Sequence, residues 1–77
     1  MASKSHLKQW VYEALLALGP STVTEIARHI WQHHETELRN SGDLFYTWQY
    51  DMRWQGQALQ GEGRLSKKAK GGRWELV

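Results

Sequence analysis

Apolar residues recur at three- and four-residue steps from the start of the chain: Leu7, Trp10, Val11, Ala14, Leu15 and Leu18. That period lays them along one stripe of a helix and predicts a first helix over about residues 5–18. Ser3 or Ser5 can accept its unpaired first-turn N–H groups, and Gly19-Pro20 ends it, because proline cannot continue the ladder. A second helix opens at Thr22-Val23-Thr24-Glu25, where the Thr22 hydroxyl and the Glu25 carboxylate can each cap the other's backbone N–H. Its buried stripe reads Ile26, Ala27, Ile30 and Trp31, continuing to His34 and Leu38 if a further turn forms. The pattern predicts this helix over about residues 23–34, followed by a loop at Arg39-Asn40-Ser41-Gly42 with Glu35 and Glu37 beside it.

The third helix is the longest, over about residues 43–60, with Ser41 or Asp43 as its cap. Phe45, Trp48, Met52 and Leu59 share its inner stripe, which Gln55 interrupts; Gly61 and Gly63 end it. Two short runs follow, Arg64-Leu65-Ser66-Lys67-Lys68 and Arg73-Trp74-Glu75-Leu76-Val77, joined by Ala69-Lys70-Gly71-Gly72. A glycine pair supplies the positive-φ positions of a tight hairpin turn. The order is helix, capped helix, longer helix and hairpin, which predicts a mainly α fold with a small β-hairpin (α+β): a three-helix winged helix-turn-helix domain over residues 1–77.

Composition changes this picture little. A chain of 77 residues is long enough for one domain and short for two. The absence of cysteine excludes disulfides and thiolate metal sites. Five tryptophans supply core volume with few rotamers to freeze, although at least one is expected to lie partly exposed. The N-terminal stretch has no apolar run, so neither a signal peptide nor a membrane span is expected, and the protein reads as cytoplasmic.

Charge adds more through its distribution than through its total of +2. Residues 1–52 carry Lys4, Lys8, Arg28 and Arg39 against six acids, a balance of −2. Residues 53–77 carry Arg53, Arg64, Lys67, Lys68, Lys70 and Arg73 against Glu62 and Glu75, a balance of +4. The basic end can serve as a phosphate-binding surface or simply as a solvated, charge-rich tail.

Two segments carry a family resemblance. Thr22-Val23-Thr24-Glu25-Ile26-Ala27 resembles the start of the second helix in many winged helix-turn-helix proteins. Residues 52–65, Met52-Arg53-Trp54-Gln55-Gly56-Gln57-Ala58-Leu59-Gln60-Gly61-Glu62-Gly63-Arg64-Leu65, with the later Gly72-Arg73-Trp74-Glu75-Leu76, are similar to the N-terminal domain of Mrr-type restriction endonucleases. Those domains carry an Arg-Trp on the third helix and a Gly-x-Trp at the final strand. The resemblance implies DNA recognition, which in those enzymes is followed by cutting in a separate nuclease domain. This chain stops at Val77, directly after the wing, so recognition without cleavage is expected.

On a helical wheel the third helix turns Tyr46, Tyr50, Arg53, Trp54 and Gln57 outward, with Thr47 nearby and Gln49 nearer the flank. Arg53 can donate two bonds to guanine and Gln57 can bridge adenine; the tyrosine hydroxyls and Thr47 suit phosphates or base edges. Arg64, Lys67, Lys68, Lys70 and Arg73 of the hairpin would contact phosphates or the minor groove. Duplex DNA is therefore the expected partner of a small regulatory protein or recognition module, with double-stranded RNA as a weaker variant.

A polar outer face needs no partner, but three rings at four-residue steps are unusual on a solvated one. They fit nucleic-acid contact, a docking patch for a protein partner or a second copy of the chain, or packing against the wing, for which Trp54 is the best placed. His29 and His33 have metal-ligand spacing, and Glu37 would continue that face if the helix extends, but there is no convincing third ligand and no His-Glu-x-x-His motif, so no metal site is expected. No nucleophile elbow, paired carboxylates or phosphate loop is present; neither cofactor nor enzymatic activity is expected.

Overall fold

The computed structural model describes residues 3–77. Three helices, α1 (Lys4–Leu18), α2 (Val23–Arg39) and α3 (Leu44–Gly61), precede the strands β1 (Leu65–Ala69) and β2 (Arg73–Leu76). The strands form an antiparallel hairpin, so the architecture is the mainly helical α+β, winged-helix layout that the sequence pattern predicts.

The helix starts follow their capping chemistry. Ser3 occupies the N-cap of α1, and its backbone N–H donates to His6 Nδ1 at 3.0 Å. At α2, Glu25 N–H donates to Thr22 Oγ1 at 3.2 Å while Thr22 N–H donates to Glu25 Oε1 at 2.8 Å, closing the reciprocal cap. The start of α3 differs from expectation. Asp43 sits at the N-cap without a side-chain cap bond, and the Ser41 hydroxyl donates back to the Leu38 carbonyl.

Helix α2 runs five residues beyond its predicted end near His34, so Glu35 and Glu37 lie in the helix rather than beside a loop. The continuation is broken at His34, whose φ of −133° and ψ of 22° are non-helical. That kink redirects the last turn and drives Leu38 fully into the core. The His34 ring stacks on Trp10 of α1, centroids 4.0 Å apart at 11°, and its Nδ1 lies 2.6 Å from Glu37 Oε2. The further turn that the sequence leaves open on Leu38 does form, although a run of polar residues from Gln32 to Glu37 precedes it.

A shared core joins all five elements: Leu7, Val11, Ala14 and Leu15 of α1, Ile26, Ile30 and Leu38 of α2, Trp48, Met52 and Leu59 of α3, Leu65 of β1 and Trp74 of β2. Two expected members are displaced. Phe45 is half-buried beside Trp31 and Leu44 takes the buried place, while Leu18 is 48% exposed at the end of α1, beside Pro20.

The hairpin is held by more than its own ladder. Its turn uses Gly71 and Gly72 at φ of 78° and 72°, a region closed to most side chains. Trp74 then pairs with Ser21 in the α1–α2 connection, N–H to carbonyl in both directions at 2.7 and 2.9 Å. This residue pair acts as a one-residue third strand. The Trp74 ring lies on Gly56 of α3, where any Cβ would overlap its six-membered ring.

Two predictions follow from this packing. Gly56→Ala should lower stability by about 1–3 kcal/mol through overpacking, despite alanine's better helix propensity. A urea midpoint equal to or above the parent's would show that the wing shifts freely. At α2, the Thr22 N–H first and its hydroxyl second hold the Glu25 carboxyl below the ordinary carboxylate range. A depressed carboxyl stabilises the fold above its unfolded pKa, and that contribution is lost as pH falls through the folded value. Urea denaturation across acid pH should therefore show the stability gap between the parent and Glu25→Gln shrinking as pH falls; a constant gap would contradict the cap.

Candidate nucleic-acid interface

The outward face of α3 is aromatic. Tyr46 is 84% exposed, Tyr50 63% and Trp54 56%, and their four-residue spacing keeps them on one side of the helix. Tyr50 and Trp54 meet edge-on, with centroids 6.1 Å apart at 65°. The wing seats Trp74 over Gly56, leaving Trp54 more than half exposed.

A shallow groove of about 260 Å³ lies against this face, lined by Tyr50, Arg53, Trp54, Gln57 and Lys67. Strand β1 supplies Lys67, whose Nζ sits 4.7 Å from the Trp74 ring centre and 3.4 Å from Gln57 Oε1. The groove thus joins three α3 residues and one wing residue proposed from sequence, along with Trp54. Arg53 also borders a larger cleft of about 450 Å³ between α2 and α3, shared with Thr24, Arg28, Trp31 and Gln49. Arg28 was not foreseen as a site residue. Its signal was the four-residue step from Thr24, which places both on one side of α2.

The charged side chains divide into two sets. Lys4 lies 3.8 Å from Asp51, Lys8 pairs with Glu62, and Arg39 Nε donates to Glu35 at 2.7 Å. By contrast, Arg28, Arg53, Lys67, Lys68, Lys70 and Arg73 form no ion pair within 4 Å among the described residues. Lys68, Lys70 and Arg73 are exposed on the hairpin and its turn. After the two Thr22 hydrogen bonds, Arg73 and Arg28 add to the lowering of the Glu25 pKa, which places both near the start of α2.

Tyr46, Thr47, Arg64, Lys68, Lys70 and Arg73, also expected at the site, do not line the groove, and Thr47 and Arg64 are engaged elsewhere. The Thr47 hydroxyl donates to Asp51 Oδ2 at 2.8 Å, on the flank of α3 that faces Lys4. Arg64 stacks its guanidinium 4.4 Å from the Tyr12 ring centre on α1 and lies 3.7 Å from Glu62. Asp51 is itself buried at 7% exposure, a polar position the apolar pattern does not announce. The histidines divide as well: the His29 and His33 rings lie 4.2 Å apart, while Glu37 turns to His34. Burial first, then the neighbouring His33 and His34, lowers the His29 pKa. Among the described residues there is no helix long and apolar enough to cross a membrane.

The chain matches no protein-family model, no curated protein and no solved structure. Its functional reading therefore rests on the groove and its charges.

Asp51→Ala removes the partner shared by Thr47 and Lys4 and should cost about 1–3 kcal/mol of stability. Amide shifts of Arg53, Gln57 and Lys67 should stay in place in the variant. Movement of those shifts would show that the Asp51 flank and the groove are one coupled unit.

Proposed function

We propose that this protein is a DNA-binding winged-helix module without catalytic activity, using α3 to read base edges and the wing to hold phosphates. The observation that carries this reading is the charge division. Lys4, Lys8, Arg39 and Arg64 each lie beside an acid, whereas Arg28, Arg53 and the wing's Lys67, Lys68, Lys70 and Arg73 form no ion pair within 4 Å among the described residues. Unpaired cations gathered beside a protruding helix suit a polyanion, because each can displace a condensed counterion. Arg53 and Gln57, on the outer face of α3, have the donor geometry for guanine and adenine edges. The similarity to Mrr-type recognition domains supports the same assignment, as a regulatory protein or as the recognition part of a larger system.

Fluorescence anisotropy with a random-sequence duplex tests it. With Lys67, Lys68, Lys70 and Arg73 on phosphates, log K should fall against log salt with a slope of about −3.6. Replacing Lys68, Lys70 and Arg73 by alanine should reduce that slope by about 2.7, and Arg53→Ala should flatten discrimination among sites by about 1–3 kcal/mol. No binding at low salt, or binding indifferent to salt, would overturn the proposal.

The exposed rings favour a second reading, a docking patch for a partner protein or another copy of the chain. Under it, Tyr50→Ala abolishes self-association in sedimentation while DNA affinity is unchanged.

A further inference from the structure

Base-edge reading leaves the most exposed feature of α3 without a use. A helix with its side chains is about 10–12 Å across. It nearly fills a major groove about 12 Å wide. Tyr46, Tyr50 and Trp54, standing about 6 Å apart along the leading face, would meet only base edges there. Aromatic faces gain most from other aromatic faces, and an intact duplex offers none along its length. An unpaired base offers one, and stacking it on a side-chain ring is worth roughly 5- to 150-fold in affinity.

The groove beside these rings has the parts for such a base. At about 260 Å³ and open to solvent, it leaves room for a flat ring against the aromatic wall. Trp54 and Tyr50 supply the aromatic wall, Gln57 an amide that can both donate and accept, and Arg53 a forked donor. Lys67 closes the wing side. Its 3.4 Å hydrogen bond to Gln57 is long enough to be exchanged for a phosphate at little cost.

We infer that this groove seats an unpaired base, so that the preferred ligand is duplex DNA interrupted by one. The inference rests on the DNA-binding reading and names its substrate. The cations around the groove hold the flanking duplex by its phosphates, while the rings hold the base that has left the stack. The helix need not force a base out of a sound pair, because extrusion costs least where pairing is already broken.

The test compares a short blunt duplex with the same duplex carrying a single-base bulge, by anisotropy at one salt concentration. The parent should bind the bulged duplex about tenfold more tightly. Trp54→Ala, confirmed as folded by circular dichroism, should bring the bulged duplex to within about twofold of the blunt one, and Trp54→Phe should retain most of the preference. Equal affinity of the parent for both duplexes overturns the inference and leaves DNA binding standing. Absence of binding to either at low salt overturns both. A bulge preference that survives Trp54→Ala, with self-association lost, overturns the groove assignment and gives the rings to a protein contact.

Discussion

The contact between Trp74 and Gly56 is the constraint on which the rest of the arrangement depends. A two-stranded hairpin is marginal by itself and needs a surface to lean on. Here the surface is a notch in α3 at Gly56, which has no side chain, and the indole fills it. The same tryptophan pairs its backbone with Ser21, tying the α1–α2 connection to the wing. One residue thus fixes the hairpin against both the third helix and the chain before the second. Lys67 reaches across the indole to Gln57, so the position of the groove's wing side follows from that seat.

At the break in α2 the edge of the core is closed differently. Trp10 is covered by His34 at the break in α2, and Glu37 and Glu13 lie on either side of that imidazole. The hydrogen bond to His34 chiefly holds the Glu37 carboxyl below its ordinary range. Apolar burial supplies the core, and aromatic stacking with short-range polar contacts closes its edge. A small domain without disulfides has few other means.

Much of the fold was legible because local rules agreed with one another. The Thr22–Glu25 cap, the stop at Gly19-Pro20 and the Gly71-Gly72 turn each depend on residues close in sequence. What escaped depends on residues far apart. In the sequence, the extension of α2 to Arg39 is left open on Leu38 alone, and the stack of His34 on Trp10 that accompanies it joins residues far apart in sequence. The Ser21–Trp74 pair is a single residue long, too short for alternation to reveal. For the candidate site, Tyr50, Arg53, Gln57 and Lys67 were foreseen and do share one groove. Thr47 and Arg64 went elsewhere because Asp51 and Tyr12 offered closer partners, which composition does not disclose. Gly56, two positions on from Trp54, takes the wing's own indole, and Trp54 stays 56% exposed.

The uneven matching of charges has a consequence before any contact is made. With Lys4, Lys8 and Arg39 tied to acids and the wing's cations left open, the molecule carries an electric moment. Near a polyanion it turns as it diffuses and tends to arrive wing foremost, so a larger share of collisions begins in a usable orientation. The gain belongs to the rate of association rather than to the lifetime of a complex. Its reach is set by the Debye length, about 10 Å at 0.1 M salt, against a molecule 34 Å in its longest dimension. At that ionic strength the protein is steered only over the last fraction of its own length.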